Sequence, residues 1–294
     1  MKTKITRRAF IEKSITAAFG FALATPLISC LSKNKLNMDF GFVTYQWGKD
    51  WDLPTLISNC EKVGLKAVEL RTEHAHGVET SLSSLQRKEV KKRFDDSNVT
   101  CVGYGSNFEY HTPDQAKLWW NIEQTKEYIK LCSDIGAPGI KVKPNNLPDE
   151  VPTEKTIDQI AQSLNEVGKF AKDYGQIVRV EAHGRKTQEL PNMKAIFDRV
   201  TEPNVKICWN SNSVDLNPPG VEHNFNLVKQ WIGDTVHVRE LDDPTYPYQQ
   251  LFNMLSKNNF TGWILLEASS EPANLMAALI NQKSIFDKLM LGIE

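Results

Sequence analysis

Four residues capable of binding a cation or moving a proton stand at the ends of successive apolar segments in the second half of the chain. They are Glu181 in VRVEAHG, Asn210 in KICWNSN, His237 in VHVREL and Glu267 in ILLEASS. Each of them alone is more often a helix cap or a salt-bridge partner. Together they offer three oxygen donors and one imidazole, a set that suits Mn²⁺, Mg²⁺, Co²⁺ or Zn²⁺. We therefore predict a divalent-metal site formed by these four side chains.

These four segments belong to a series of eight apolar segments that alternate with helical patterns. The helical stretches place apolar residues near the 3.6 period, and several end at a glycine, such as Gly64, Gly136 and Gly175. Eight strand–helix units over about 255 residues match the size of a (β/α)₈ barrel. A doubly wound open sheet is disfavoured because no G-x-G-x-x-G follows the first strand. We predict an α/β fold, a single-domain (β/α)₈ TIM barrel over residues 38–294. Its strands are predicted to begin near Phe40, Lys66, Val99, Gly139, Ile177, Asn204, Thr235 and Gly262.

Alternation along the predicted strands indicates which side chains face the barrel axis, because successive side chains of a strand point to opposite faces. One set is apolar throughout: Val68, Leu70, Ile140, Val142, Val178, Val180, Ile207, Trp209, Val236, Val238, Ile264 and Leu266. The other set is mostly polar: Glu69, Arg71, Lys141, Lys143, Arg179, Glu181, His183, Cys208, Asn210, Asn212, His237, Arg239, Leu265 and Glu267. A shift of one residue would exchange the two sets. The agreement over six strands predicts that the polar set faces the axis and collects at the strand C-termini, where barrel enzymes have their active sites.

The first 30 residues have the pattern of an export signal. The stretch MKTKITRRAFIEKSITAAFGFALATPLISC has a basic start, an apolar middle and a small-residue end that closes on Cys30. Within it, TRRAF at 6–10 resembles a twin-arginine signal and LISC at 27–30 resembles a lipobox. We expect an exported, periplasmic protein that is tethered to the membrane by a lipid on Cys30, with residues 31–37 as the tether. An uncleaved anchor and a soluble periplasmic protein are the alternatives.

Charge and cysteine content exclude several other classes. Five basic residues and one acidic residue lie in the first 30, which leaves 30 basic and 35 acidic residues in the rest of the chain. A net acidic body without a Lys/Arg run lacks the electrostatic pattern of a nucleic-acid binder. The five cysteines include no C-x-x-C pair, so neither a zinc cluster nor a disulfide framework is predicted. We expect Cys60, Cys101, Cys132 and Cys208 to be packed thiols.

The chain resembles the xylose-isomerase-like TIM barrels, which include sugar isomerases, sugar epimerases and class II apurinic endonucleases. The resemblance covers the chain after the export signal and is carried by GFVTYQWGKDWDLPTLISNCEKVGLKAVELR, VEAHG, ICWNSN, VHVREL and ILLEA. It implies a metal held by Glu, Asp, His and Glu on strands five to eight, at Glu181, Asn210, His237 and Glu267. Asn210 departs from the family's Asp, and Ser213 stands where a His is frequent. Losing one negative charge should weaken the binding of a hard cation.

The resemblance also implies a reaction. In such sugar isomerases and epimerases the two metal-bound glutamates move protons at the carbon beside a carbonyl, so we expect Glu181 and Glu267 to be the acid–base pair. The expected function is that of a sugar isomerase or epimerase, and the main alternative is a 3-keto-glycoside lyase acting by β-elimination. A non-catalytic sugar-binding lipoprotein and an apurinic endonuclease-like enzyme are less favoured. The expected partner is a small carbohydrate, with no nucleic acid and with membrane contact only through the lipid; a homo-oligomer is left open.

A further group of residues is predicted to contact the substrate. It comprises Glu69, Arg71, His74, His76, Lys141, Lys143, His183, Arg239, Glu240 and Trp47. The pair His74 and His76 is interpreted as recognising hydroxyl groups or shuttling protons, with solvated loop histidines as the alternative. Lys141 and Lys143 are equally consistent with binding an anionic substrate oxygen and with neutralising nearby glutamates. Trp47, after the first strand, is expected to stack on a sugar ring.

Overall fold

The computed structural model describes residues 38–293, and within them eight parallel strands close into a barrel. The strands are β1 (Met38–Val43), β2 (Ala67–Arg71), β3 (Thr100–Glu109), β4 (Gly139–Lys143), β5 (Ile177–Glu181), β6 (Val205–Asn210), β7 (Ile232–Val238) and β8 (Gly262–Leu266). They follow one another around the ring in chain order, and β8 pairs with β1 to close it. The predicted (β/α)₈ barrel is confirmed. The export signal, the lipid on Cys30 and the tether lie outside the described residues.

Eight α-helices connect and surround these strands. They are α1 (Leu53–Val63), α2 (Ser84–Asp95), α3 (Gln115–Ile135), α4 (Thr153–Asp173), α5 (Leu190–Phe197), α6 (Val221–Val228), α7 (Tyr248–Lys257) and α8 (Leu275–Leu291). Helix α1 shows how local sequence sets their ends: the Asp52 side chain accepts a hydrogen bond from the Thr55 N–H at its start, and Gly64 ends it in the left-handed region at φ 80°. No helix in the described part of the chain is both long enough and apolar enough to cross a bilayer.

The core lies between the barrel and its helices. All twelve residues of the apolar set predicted from alternation are buried there. Inside the barrel, a separate small apolar cluster of Val43, Ala67, Val102 and Leu265 fills part of the axis. The rest of the axis carries the polar set, so the register predicted from alternation is confirmed by burial on both faces. The four cysteines of the described chain are buried and unpaired, as expected.

Below the mouth, the barrel interior is held by an ion pair. The guanidinium of Arg179 is fully buried and donates to both carboxylate oxygens of Asp234 at 2.7 Å. A third N–H donates to the carbonyl of Val102 at 2.6 Å, so the charge is well compensated across three strands. The pair fixes β5 against β3 and β7 beneath the polar residues of the mouth.

Removing the negative partner should destabilise the barrel. We expect Asp234→Asn to lower the free energy of unfolding by about 3 to 5 kcal/mol, because it leaves a buried guanidinium without its counter-charge. Asp287→Asn serves as the matched control, since Asp287 pairs with Lys283 on the exposed face of α8 and such pairs contribute at most about 1 kcal/mol. Urea denaturation of both variants measures the difference, and equal effects would contradict the role given to Arg179.

Candidate active site

Three of the four predicted metal ligands converge at the C-terminal end of the barrel. One ligand atom each of Glu181, His237 and Glu267 lies within 4.8 Å of the other two. The Nδ1 atom of His237 is 3.6 Å from Glu267 Oε2 and 3.9 Å from Glu181 Oε1. The fourth residue, Asn210, is adjacent, because its Nδ2 donates to Glu181 Oε1 at 3.0 Å. The polar ends of β5 to β8 therefore meet at one point.

The donor set fits a divalent cation. His237 is fully buried, yet neither of its ring nitrogens has a hydrogen-bond partner among the described residues. Buried polar atoms without partners are rare in folded proteins and call for a ligand. Coordination of Nδ1 together with Glu181 Oε1 and Glu267 Oε2 would satisfy the ring after a small contraction of the cluster. Asn210 uses its N–H on Glu181, so its Oδ1 is the atom available to a cation.

A second carboxylate stands behind the imidazole. Glu69 is fully buried, and its Oε1 lies 3.2 Å from His237 Nε2, the ring atom that faces away from the other two glutamates. A carboxylate on the outer nitrogen of a metal-binding histidine orients the ring and raises its basicity. Gly105 makes room for this residue, since a Cβ at that position would overlap Glu69 Oε1. Glu69, predicted to contact substrate, is placed instead behind His237.

Two cations keep the glutamates at the mouth ionised. The Lys141 ammonium contacts Glu181 Oε2, and the Arg71 guanidinium lies 3.3 Å from Glu267 Oε1. Burial opposes ionisation of Glu181, but Lys141, His237 and Lys143 outweigh it and hold its pKa well below the usual range. Burial and the neighbouring Glu181 oppose ionisation of Glu267, and the contact with His237 still lowers its pKa. Both carboxylates are therefore charged at neutral pH.

The sequence of the chain matches a known protein family. The model of the family described as xylose isomerase-like TIM barrel matches residues 57–212, more than half of the chain. The chain belongs to the xylose isomerase-like TIM-barrel family.

Solved structures of the same architecture include sugar epimerases. A 3-keto-D-glucoside 4-epimerase from E. coli matches with a TM-score of 0.69 at 13% identity, over 86% of this chain and 99% of that one. An L-ribulose 3-epimerase matches with a TM-score of 0.73 at 14% identity, over 86% and 95%. An IolI protein described with a bound zinc atom matches with a TM-score of 0.69 at 16% identity, over 86% and 98%. At these identities the matches show a common fold.

Lys143, one of the residues predicted to contact substrate, is a cation without a protein partner in the described part of the chain. It ends β4, its side chain is 9% exposed, and it forms no ion pair or hydrogen bond within residues 38–293. Burial and the neighbouring Lys141 lower the pKa of Lys143 to about 8. Lys141 itself is committed to Glu181. The two alternatives weighed for these lysines thus separate: Lys141 neutralises a glutamate, and Lys143 faces the mouth free to bind an oxygen.

The remaining polar residues of the mouth differ in how freely they can reach a ligand. His183 is half-buried with Nδ1 2.8 Å from Asn145 Oδ1, in the short parallel pair Asn145–Asn146 and Gly184–Arg185 above the barrel. His74 is half-buried with Nδ1 3.3 Å from Thr44 Oγ1. Burial lowers the pKa of both histidines, so both rings are mainly neutral at pH 7. Each keeps its Nε2 for a ligand. Arg239 belongs to the next loop and stands two residues beyond His237.

Three residues predicted to contact substrate have structural roles instead. Trp47 is 4% exposed and donates its indole N–H to the carbonyl of Ser270, so its ring is unavailable for stacking on a sugar. His76 is buried, with Nε2 2.8 Å from the Arg71 carbonyl and Nδ1 accepting from the Val78 N–H, which fixes the loop after β2. Glu240 accepts hydrogen bonds from the N–H groups of Ser269 and Ser270. Glu240 and Trp47 together hold the loop that follows Glu267.

The sequence analysis missed three residues that position Arg71. Asn107 accepts a hydrogen bond from its guanidinium at 2.9 Å, and the ring of Tyr45 lies 5.2 Å from its central carbon. The buried hydroxyl of Thr44 accepts from the Arg71 N–H at 2.8 Å. Thr44 and Tyr45 follow β1 directly, a position that strand-end reasoning would have reached. Asn107 was missed because β3 extends to Glu109, and only its beginning near Val99 was predicted.

Restoring the missing carboxylate should strengthen metal binding. Asn210→Asp removes the donor to Glu181 Oε1 and places two carboxylates side by side, so we expect a lower melting temperature without metal. With the added charge, Mn²⁺ should bind at least about tenfold more tightly and raise the melting temperature more than in the unmodified protein. Titration calorimetry and thermal unfolding measure both effects. Asn226→Asp adds the same charge on exposed α6 and should change neither; equal Mn²⁺ affinity in the two variants would count against the site.

Proposed function

We propose that this family member is a divalent-metal-assisted enzyme of the sugar isomerase or epimerase type, which abstracts a proton beside a carbonyl of a carbohydrate. The observation that carries the proposal is the pair of ionised, nearly buried glutamates on either side of His237. Two carboxylates that are charged at neutral pH supply the base that the first proton transfer needs. Structural similarity to a 3-keto-D-glucoside 4-epimerase and to an L-ribulose 3-epimerase supports a keto-sugar as substrate.

A cation held by Glu181, Asn210, His237 and Glu267 would supply Lewis acidity toward the carbonyl oxygen of the substrate. The residues of the chain divide the remaining work. Glu181 has Lys141 on one oxygen and Asn210 on the other, whereas Glu267 has only longer contacts among the described side chains, to Arg71 at 3.3 Å and to His237 Nδ1 at 3.6 Å. We therefore assign removal of the proton to Glu267, the freer base, and its return to Glu181. Lys143 faces the substrate oxygen on which negative charge develops, and its ammonium stabilises that charge.

If Glu181 and Glu267 transfer the proton, replacing either of them should slow proton exchange between the substrate and the solvent. In D₂O the protein should replace the hydrogen beside the carbonyl of a 3-keto-glucoside or a free ketose with deuterium, visible as loss of its ¹H NMR signal. Glu267→Gln and Glu181→Gln should each slow this exchange by about 100-fold or more, since a glutamine cannot take up the proton. Glu222→Gln, on the exposed face of α6, is the control. Exchange at the normal rate in Glu267→Gln would refute the role of Glu267.

The lowered pKa of Lys143 predicts that kcat/KM falls at alkaline pH. Its pKa is lowered to about 8, so the stabilising ammonium is present below that pH and is lost as the pH rises through it. We expect kcat/KM to fall above about pH 8, and Lys143→Met to lower kcat/KM below that pH and to remove the fall. Lys155→Met, on the exposed start of α4, is the control. If kcat/KM of Lys143→Met still fell above about pH 8, the fall would be due to the titration of another group.

The same first step leads to a second candidate function, a 3-keto-glycoside lyase. Once the proton beside the carbonyl is removed, a glycosidic oxygen on the next carbon leaves with the electron pair, and an acid must protonate it. A cavity beside the catalytic residues, described below, supports a substrate with such a group. Incubation with a 3-keto-glucoside and with a free ketose separates the two functions: release of the alcohol from the glucoside identifies the lyase, and a new epimer identifies the epimerase.

We also propose that the protein is exported and carries a lipid on Cys30, on the pattern of residues 1–30. In that location a glycoside is a reasonable substrate, because sugar phosphates are mainly cytosolic. Metabolic labelling with a palmitate analogue tests the lipid: the intact protein should incorporate it and Cys30→Ser should not. The carbohydrate partner and any homo-oligomer are likewise proposals, which ligand binding and sedimentation measure.

A further inference from the structure

A cavity of about 290 Å³ lies in the loops that follow β6 and β7, outside the cluster of catalytic residues. Its volume is near the lower end of the roughly 300–1,000 Å³ range of small-molecule sites, which suits a ligand the size of one sugar ring. Its lining includes Gln188, Ser211, Ser213, Arg239, Tyr246 and Tyr248. These residues take no part in the proposed proton transfer.

Chain connectivity places this cavity next to the reaction centre. Ser211 directly follows the metal-site residue Asn210, and Arg239 stands two residues after His237. The N–H and the hydroxyl of Ser211 both donate to the His237 carbonyl at 3.2 Å, so the two strand ends that carry Asn210 and His237 also form one wall. A ligand bound at the glutamates therefore has the cavity as its neighbour on the β6–β7 side.

The polar groups that line the cavity are available to a ligand. Within residues 38–293, the Arg239 guanidinium, the Gln188 side-chain amide and the Ser213 hydroxyl have no hydrogen bond or ion pair. These groups offer several donors and two acceptors. The rings of Tyr246 and Tyr248 are buried and pack with their centroids 4.9 Å apart, so they form the wall of the cavity. Unpaired guanidinium, amide and hydroxyl groups match the hydroxyls of a sugar.

The wall of the cavity is held in place independently of any ligand. The Tyr246 hydroxyl donates to Asp215 Oδ2 at 2.8 Å and accepts from the Trp209 indole N–H at 3.1 Å. The same carboxylate oxygen accepts from the Asn212 N–H at 2.9 Å, and all of these groups are buried. This network ties the loop after β7 to the loop after β6. A preformed wall of this kind reduces the entropy lost when a ligand binds.

We propose that the cavity binds the second sugar ring of a glycoside, while the first ring, a keto-sugar, is held at Glu181 and Glu267. This inference rests on the proposed function and narrows its substrate class from free keto-sugars to keto-glycosides with at least two rings. The second ring makes its contacts with Arg239, Ser213 and Gln188. Binding energy gained there holds the first ring over the catalytic carboxylates.

The test compares two substrates on the Mn²⁺-loaded protein: a disaccharide with a 3-keto ring and the corresponding 3-keto-monosaccharide. We expect kcat/KM for the disaccharide to exceed that for the monosaccharide by about tenfold or more. Ser213→Trp fills the cavity from an exposed loop position and should lower this ratio at least about tenfold. Asn217→Trp places the same side chain on the same loop outside the cavity lining and should leave the ratio unchanged. Arg239→Met is a second lining variant, expected to lower the ratio in the same direction.

A calorimetric experiment separates this inference from the proposed function. It measures the binding of both sugars to the Glu267→Gln variant and to the double variant that also carries Ser213→Trp. Turnover with a ratio that Ser213→Trp and Arg239→Met leave unchanged would overturn the cavity assignment and retain the enzyme. Absence of turnover, with tighter disaccharide binding that Ser213→Trp abolishes, would retain the cavity and overturn the enzyme. Equal binding of the two sugars would also overturn the cavity assignment.

Discussion

The two glutamates at the mouth of this barrel stay ionised inside the protein because each has a cation of the chain beside it. Glu181 is fully buried and would be protonated in an apolar setting, but the Lys141 ammonium contacts one of its oxygens and the Asn210 amide the other. Arg71 forms an ion pair with Glu267 at 3.3 Å, and the contact with His237 lowers the pKa of that carboxyl. The imidazole of His237 lies between these two pairs, and the proposed metal binding and proton abstraction both depend on the charge of the two glutamates.

The same pairing sets how strongly the site attracts a divalent ion. Lys141 already neutralises part of the charge on Glu181, and Asn210 contributes a carbonyl oxygen where a carboxylate would add a charge. The cluster is therefore less negative than a set with a third carboxylate among the four ligands, and a bound cation is held with less Coulomb energy. His237 favours binding of a cation, since its buried Nδ1 makes no hydrogen bond in the described chain while Glu69 stands at Nε2. Under the proposed function, the balance of these effects would set the metal affinity.

Strand alternation was sufficient to predict the barrel, its register and the convergence of Glu181, Asn210, His237 and Glu267, because each depends on a period that the sequence displays directly. The backbone contacts of Trp47, His76 and Glu240, which were predicted to contact substrate, could not be predicted in the same way. All three carry polar atoms near strand ends, but those atoms bond the backbone of nearby loops, and the path of a loop has no periodic signature. Asn107 shows a different limit: it lies in the last part of β3, which runs to Glu109, and the sequence predicted only where that strand begins.

The central claim is that these paired glutamates and the unpartnered histidine form one metal-binding, proton-transferring centre. A crystal structure of the protein soaked in Mn²⁺ and a keto-sugar, with anomalous diffraction recorded for manganese, tests it most directly. We predict a single strong anomalous peak within about 2.2 Å of oxygens from Glu181, Asn210 and Glu267 and of His237 Nδ1, with the sugar carbonyl turned toward it. A peak elsewhere, or no peak while the sugar is ordered at the mouth, would contradict the account.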